Sequence, residues 1–247
     1  MNFASSSAPR KIAGIIQSNY IPWKGYFDLI ASCDDFVLLD EVQYTRRDWR
    51  NRNKIKSKDG LQWLTIPVEV KGKYDQRIDE TRVSDPAWHL AHLRSLQHAY
   101  GKAPCFDAVW PYVENLYVSV ADEPLLSRIN ERFIRGIADY LHIPTPIHRS
   151  TEFSAGAGKN ERLIEICERL GATIYVSGPA AKIYMDRSLW SGRGIGVRYK
   201  SYSGYPEYPQ LHPPFEHGVS VLDLLFNLGP KAVEFFRTPA PFETSDE

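Results

Sequence analysis

Residues 11–40 decide the fold, and they read KIAGIIQSNYIPWKGYFDLIASCDDFVLLD. Residues 11–17 form a short apolar run that ends in polar side chains, which is typical of a buried strand. Apolar residues then recur at helical spacing over 25–31, and residues 36–40 form a second apolar run. This order of strand, loop, helix and strand predicts a βαβ unit and therefore a parallel sheet.

The rest of the chain extends this pattern. We predict strands at 61–68, 147–150 and 173–178, irregular strands within 192–214, and helices at 86–100, 106–118, 124–141, 160–170 and 219–229. Gly171 is placed to end the helix over 160–170 as a left-handed C-cap. The predicted fold is α/β and Rossmann-like (HUP-like), with a mainly parallel sheet, flanking helices and a helical insertion around 86–141. One α/β domain is expected over 11–237, with disordered tails at 1–10 and 238–247.

Composition narrows the class of protein. The chain carries 30 basic and 30 acidic residues, and a net charge of zero disfavours a general nucleic-acid or membrane binder. Cys33, Cys105 and Cys167 are far apart in the chain, which disfavours disulfides and a thiolate zinc site. No stretch approaches the ~20 apolar residues of a membrane span, and the first residues lack the apolar region of a signal peptide. We therefore expect a cytoplasmic protein.

The first candidate site surrounds the loop after the first strand. Ligands of parallel α/β sheets bind beyond the carboxyl ends of the strands, where polar residues are found in this sequence. The stretch WKGY at 23–26 is similar to the HxGH signature of nucleotidylyltransferases, although both histidines are absent. An alternative interpretation is that Tyr20, Trp23 and Phe27 are core aromatics that cap the sheet. The candidate residues are Gln17, Asn19, Tyr20, Trp23, Lys24, Tyr26, Asp40, Gln43 and Ser177.

The second candidate is a basic segment. Residues 41–58 contain seven basic residues and two acidic ones, interleaved with asparagines and a tryptophan. Arginine binds phosphate or carboxylate in two-pronged fashion, and tryptophan stacks on a sugar or a base. A solvated basic face is the alternative interpretation. The candidate residues are Tyr44, Arg46, Trp49, Arg50, Asn51, Arg52, Asn53 and Lys54.

Two further candidates lie outside these segments. A glycine-rich turn at 153–159 opens a helix and suits an anion, but it is not a Walker A motif, and a plain turn is an equal alternative. His89 and His92 share a helix face, and His89 is a candidate general base. Nothing completes a metal-binding motif, so no metal site is predicted.

Taken together, these residues resemble the bacterial WbqC-like family. The resemblance covers roughly residues 11–237 and departs at Ser18, where the family more often has proline. It rests on the strings IIQ at 15–17, PWKGYF at 22–27, DEVQY at 40–44, WRNRN at 49–53, WLTIPV at 63–68, SGPAA at 177–181, YPQ at 208–210 and LDLL at 222–225. The resemblance implies a role in the synthesis of O-antigen (lipopolysaccharide) or a related surface glycan, for which glycine or aminoacyl transfer has been suggested.

The predicted function is that of an acyl- or aminoacyl (glycyl)-type transferase acting on a nucleotide-linked amino sugar. Phosphates or a carboxylate would be bound by Arg46, Arg50, Arg52 and Lys54, while Trp49 stacks. The acceptor would be oriented by Gln17, Asn19 and Tyr20, and Asp40 or His89 would deprotonate the attacking amine. No cofactor is firmly implied, and ATP, an acyl-CoA or an aminoacyl donor is the expected co-substrate. The alternatives are a nucleotidyl or adenylyl transferase and a non-catalytic protein that binds a nucleotide sugar or RNA. Aminoacyl-tRNA is the one nucleic-acid partner considered.

Overall fold

A computed structural model describes residues 10–156, 158–237 and 242–243. The strands are β1 (Ile12–Ile16), β2 (Asp35–Leu38), β3 (Arg52–Ser57), β4 (Gly60–Thr65), β5 (Ile147–Arg149), β6 (Ile174–Ser177), β7 (Gly196–Lys200) and β8 (Phe242–Glu243). The helices are α1 (Lys24–Ala31), α2 (Trp88–Tyr100), α3 (Phe106–Ser119), α4 (Leu126–Tyr140), α5 (Lys159–Leu170), α6 (Arg187–Ser191) and α7 (Val221–Leu228). The predicted disordered tails lie outside the described residues, except for Arg10 and for the two residues of β8. Within the described ranges, no helix is long and apolar enough to cross a membrane.

A six-stranded sheet organises the fold, in the order β5-β2-β1-β6-β7-β8. Strands β1, β2, β5, β6 and β7 are parallel, and β8 pairs antiparallel with β7. Counted in the order in which the chain enters the sheet, this is the 3-2-1-4-5-6 order of doubly wound Rossmann-like folds. The predicted α/β class with a mainly parallel sheet is confirmed.

The two predicted βαβ units differ in how far they cross the sheet. In the first, β1 and β2 are direct neighbours, with Gly14 opposite Phe36. In the second, β2 and β1 lie between β5 and β6, so the connection through α5 passes over two strands. Gly171 ends α5 with a φ of 68°, which confirms the predicted left-handed C-cap.

Helices α2, α3 and α4 form the predicted insertion, and α2 packs on a separate antiparallel hairpin of β3 and β4. β3 lies inside the basic segment and was not among the predicted strands. Its sequence, RNKIKS, lacks the alternation of apolar residues that marks a strand. Asn53 and Lys56 are nevertheless buried in it, because specific hydrogen bonds satisfy their polar groups.

Candidate functional site

Three consecutive residues after β1 turn in three directions at the carboxyl edge of the sheet. Gln17 lines a cleft of about 450 Å³, together with residues after β2 and at the start of α5. Ser18 is fully buried and contacts Asp40, which follows β2. Asn19 lines a different cleft, of about 290 Å³. Because β1 and β2 are parallel neighbours, their polar ends meet at the edge where such folds bind ligands.

Asp40 is a buried carboxylate at this edge. Its Oδ1 accepts a hydrogen bond of 2.9 Å from the backbone N–H of Ser18, and only 8% of the residue is exposed. Burial raises the pKa of Asp40 to about 6, although hydrogen bonds from Ser18 and the nearby charge of Arg50 oppose the shift. A carboxyl group with this pKa can accept a proton near neutral pH, as a general base does.

Arg50 connects the residues that line two of the clefts. Its Nη1 donates to Oδ1 of Asn19, and its Nη2 donates to Oε1 of Gln17 at 3.3 Å. Nη2 also lies 3.6 Å from Oδ2 of Asp48. The Arg50 guanidinium is therefore fixed at the carboxyl edge, where it supplies positive charge beside Asp40.

Asn130, on α4, belongs to the same network and was missed by the sequence analysis. The residue is fully buried, and its Nδ2 donates to Oγ of Ser18 at 3.1 Å and to the carbonyl of Arg50 at 2.8 Å. Its Oδ1 is buried without a hydrogen-bond partner among the described residues. The available signal was its position on the apolar face of α4, four residues from both Leu126 and Ile134, where a polar residue needs partners.

The 290 Å³ cleft, here called the aromatic cleft, is lined by Asn19, Pro22, Trp23, Trp49, Asn53 and Gly218. Trp49 is 41% exposed, and its ring centre lies 5.4 Å from that of Trp63, which is 40% exposed. Exposed indoles beside a cleft are suited to bind a flat group, such as a base or a sugar ring, by stacking. The structure thus brings together predicted residues from the loop after β1 and from the basic segment.

Cations of the hairpin lie against the second of these indoles. The Arg52 guanidinium carbon is 4.1 Å from the ring centre of Trp63, and Nζ of Lys54 is 5.3 Å from it. We refer to Trp49, Trp63, Arg52 and Lys54 as the tryptophan surface. It combines positive charge with stacking area, the two properties that single-stranded nucleic acid requires of a binding surface.

The loop beside the aromatic cleft is held in a strained conformation. Ile21 has a φ of 35°, in the left-handed region that β-branched residues rarely occupy. Asn53 holds this conformation, because its Nδ2 donates to the carbonyls of Tyr20 at 3.2 Å and Ile21 at 2.9 Å. The N–H of Val221, at the start of α7, also donates to the carbonyl of Pro22 at 2.9 Å. Residues held in this way cluster at ligand-binding sites.

A third cleft, of about 130 Å³, lies between the carboxyl ends of β2 and β5, and we call it the charged cleft. Its lining carries both signs of charge: Asp40, Asp79 and Glu131 against Arg128 and Arg149, with Leu38, Leu125, Ser127, Ser150 and Thr151. Asp40 lines the charged cleft, whereas Asn19 lines the aromatic cleft. Ser18, between Gln17 and Asn19 in the chain, links the loop of the aromatic cleft to the carboxylate of the charged cleft through its hydrogen bond to Asp40.

Three predicted residues point into the core. Tyr20 is fully buried, as the core-aromatic interpretation proposed, and its hydroxyl lies 2.8 Å from Nδ1 of His92. The Tyr26 hydroxyl donates to the carbonyl of Gln17 at 3.1 Å. Lys24 is 2% exposed, donates from Nζ to the carbonyl of Pro206 at 2.8 Å, and has its pKa lowered to about 8 by burial. These side chains support the loop from its inner side.

Other predicted residues make structural contacts around the site. Arg46 donates to the carbonyl of Val70 at 2.6 Å, and Asn51 donates to the carbonyl of Ile66 at 2.8 Å. Tyr44 is buried.

His89 lies on the insertion, with Nδ1 3.0 Å from the carbonyl of Pro86, and it lines none of the three clefts. In the described part of the chain, no group of three or more His, Cys, Asp or Glu side chains is arranged to hold a metal ion.

The 450 Å³ cleft contains the remaining predicted positions. Gln17 and Gln43 line it with Lys159 of the glycine-rich turn. Tyr184 also lines it, and Ser177 hydrogen-bonds to the hydroxyl of Tyr184 from the end of β6. Arg162 closes one side through a hydrogen bond of 3.1 Å from Nη1 to the carbonyl of Glu41.

Comparisons with known proteins point to one family. The model of a family described as the WbqC-like protein family matches residues 17–235. An uncharacterized protein of Mycobacterium tuberculosis is 45% identical over 228 residues, which cover 92% of this chain and 98% of the relative. No solved structure gives a significant match.

Proposed function

The chain belongs to the WbqC-like protein family, and on that premise we propose that it is a transferase of surface-glycan synthesis. In this proposal it passes an acyl or aminoacyl group to the amine of a nucleotide-linked amino sugar. The glycan context and the aminoacyl-transfer class come from the family resemblance, and the carboxyl edge supplies a candidate general base and a cation.

One observation carries the proposal: the buried carboxylate that lines the charged cleft is hydrogen-bonded to the loop whose next residue lines the aromatic cleft. A transferase must hold two substrates beside the same reacting atoms. Asp40 lines the charged cleft, and its hydrogen bond to Ser18 connects it to the Asn19 that lines the aromatic cleft. The raised pKa of Asp40, about 6, is matched to removal of a proton from an amine near neutral pH.

The reaction can be written with these residues in their positions. The amine nitrogen attacks the carbonyl carbon of a thioester or ester donor, and a C–N bond forms. Asp40 accepts the proton that the amine loses. The C–S or C–O bond of the donor then breaks, and the thiolate or alkoxide leaves and takes up a proton. Arg50 provides the positive charge that favours an oxyanion on the carbonyl group during the attack.

A transfer assay tests this function. The protein is incubated with UDP-glucosamine and a panel of acyl-CoAs or aminoacyl-tRNAs, and mass spectrometry detects the acylated sugar. Acylated sugar that forms with the native chain but not with Asp40→Asn would support the proposal. Tight binding of UDP-glucosamine without product from any donor would favour a non-catalytic binding protein instead.

The nucleotidyl-transfer alternative receives less support from the geometry. In this alternative, Lys24 and Tyr26 of the HxGH-like stretch at 23–26 would have to reach a phosphate. Both are at least 98% buried, and their polar atoms bond to the carbonyls of Pro206 and Gln17. Release of pyrophosphate from ATP by the purified protein would restore this alternative.

A specific observation favours aminoacyl-tRNA as the donor. The tryptophan surface adjoins the aromatic cleft, because Trp49 belongs to both. The 3′ end of tRNA is single-stranded, and stacking on indoles flanked by cations is how such strands bind. We expect tRNA binding that weakens steeply with salt concentration. Filter binding at several salt concentrations measures this affinity. Binding of acyl-CoA together with no binding of tRNA would exclude aminoacyl-tRNA as the donor.

A further inference from the structure

A groove along α4 extends the charged cleft. A neighbouring cleft of about 310 Å³ is lined by Ser119, Val120, Glu123, Arg128, Glu131, Arg132 and Arg135. Arg128 and Glu131 line both clefts, so the two form one groove, which we call the α4 groove. It begins at Asp40 and Asp79 and ends at Arg132 and Arg135.

Arginines along the α4 groove share one carboxylate, that of Glu131. Arg128 and Arg135 contact Glu131 at 3.2 Å and 3.0 Å, and Arg149 approaches it at 3.9 Å. Arg132 donates from Nε to Oγ of Ser119 at 3.1 Å. In the described structure these contacts use one or two of the five N–H donors of each guanidinium, so donors remain for a ligand.

Stability alone does not account for this cluster. The side chains of Arg128, Arg135 and Arg149 are 38–44% exposed, and exposed ion pairs stabilise a protein by only about 0–1 kcal/mol. Arg128, Arg132 and Arg135 follow the i, i+4, i+7 spacing of one helix face. They therefore line the groove over roughly 10 Å, at about 1.5 Å of rise per residue. Guanidinium groups arranged in this way bind phosphate.

The near end of the α4 groove holds the carboxylates of Asp40 and Asp79. Asp40 accepts a hydrogen bond from Ser18, and Asp79 accepts two of 2.9 Å from Arg77. Arg128 and Arg149 line the same cleft, and the charge of Arg50 also acts on Asp40. A carboxylate offers about four acceptor positions, so both groups keep capacity for an ammonium ligand.

We infer that the α4 groove binds an amino sugar phosphate, with the amine at Asp40 and Asp79 and the phosphate at Arg128, which lines both clefts, and Arg132. The inference rests on the proposed function, because it identifies the acceptor substrate and its orientation. With the amine at Asp40, the acceptor presents its nucleophile to the general base. The phosphate end then points along α4, and the aromatic cleft is left for the donor.

Binding measurements without any donor test this inference. Isothermal titration calorimetry at low salt compares glucosamine 1-phosphate with glucose 1-phosphate, which lacks the amine. Charge-assisted hydrogen bonds contribute enough that we expect about tenfold tighter binding of the amino sugar phosphate.

Two substitutions should separate the ends of the groove. Arg132→Gln should weaken both ligands by about tenfold, and Asp79→Asn should weaken only glucosamine 1-phosphate. Arg193→Gln is the matched control, because Arg193 forms an exposed ion pair with Glu168 on another surface. Arg132 and Arg193 are both exposed, so neither substitution removes a core contact.

Three results would overturn the inference: no binding of glucosamine 1-phosphate, equal binding of both sugars, or equal weakening by Arg132→Gln and Arg193→Gln. The outcome of the transfer assay is separate from the outcome of these binding measurements. If the ligands bind as expected but no donor gives product, the inference about the α4 groove is supported and the transferase proposal is contradicted. If product forms and Arg132→Gln does not affect it, the transferase proposal is supported and the inference about the groove is contradicted.

Discussion

The backbone N–H of Ser18 donates a hydrogen bond of 2.9 Å to Oδ1 of Asp40. This bond joins the first turns beyond β1 and β2, so the loop that shapes the aromatic cleft and the carboxylate of the charged cleft have a fixed relation. Asn130 reinforces it through the Ser18 hydroxyl and the Arg50 carbonyl. The predictions below test this network and the clefts on either side of it.

Asp40→Asn should flatten the pH dependence of stability between about pH 4 and pH 6. Native Asp40 keeps its proton up to about pH 6, whereas the unfolded chain loses it near pH 4. The native state binds more protons in this window, so the contribution of Asp40 to the free energy of unfolding falls as the pH rises. The full change is roughly 3 kcal/mol.

Urea denaturation of the native chain and of Asp40→Asn at several pH values measures this slope. The matched control is Asp59→Asn, since Asp59 is exposed. An identical slope in the native chain and in Asp40→Asn would contradict the raised pKa.

Asn130→Ala should lower the free energy of unfolding by about 1–3 kcal/mol, because the Ser18 hydroxyl and the Arg50 carbonyl lose a buried partner. Chemical denaturation measures the change. Gln97→Ala, an exposed substitution on α2, serves as control and should have little effect. Equal stability of Asn130→Ala and the native chain would show that the network is not energetically important.

Tyr20→Phe should also destabilise the protein by about 1–3 kcal/mol. Nε2 of His92 lies 3.1 Å from the carbonyl of Thr65, which only accepts, so Nε2 carries the proton and Nδ1 accepts from the Tyr20 hydroxyl. Tyr117, 2.6 Å away, then donates to Tyr20. Removing the Tyr20 hydroxyl leaves two buried groups without this partner.

Thermal and urea unfolding measure the effect of Tyr20→Phe. Tyr74→Phe is the matched control, since Tyr74 is 81% exposed. A loss of stability no larger than that of the control would contradict the series of hydrogen bonds from Tyr117 through Tyr20 to His92.

Trp49→Ala should weaken the binding of AMP, a small adenine ligand, by roughly tenfold, because stacking contributes about 1–3 kcal/mol per base. Trp63→Ala is the comparison: Trp63 is equally exposed and belongs to the tryptophan surface, but it does not line the aromatic cleft, so we expect a smaller loss of AMP binding. Fluorescence titration measures both. A larger effect from Trp63→Ala would place the ligand outside the cleft.

Local sequence patterns were sufficient to predict the first βαβ unit and the parallel sheet. The apolar runs before Gln17 and up to Asp40 gave β1, α1 and β2, and a parallel pair necessarily brings those polar residues to one edge. The strand β3 escaped prediction because two of its polar residues, Asn53 and Lys56, are buried by partners distant in the chain. Lys56, for example, bonds to Gln210 and Pro214.

The sequence by itself therefore determined the family, the α/β class and the edge of the sheet at which the polar residues after β1 and β2 meet, since periodicity and strand direction are local properties. Only the tertiary structure decided which polar residues face a cleft and which support it from the core. Ser18 and Asn130 are 112 residues apart, yet they share a hydrogen bond. Tyr20 and Lys24, adjacent to Asn19 and Trp23 in the chain, are buried instead. Such outcomes depend on contacts between distant segments, and these contacts leave no periodic pattern in the sequence.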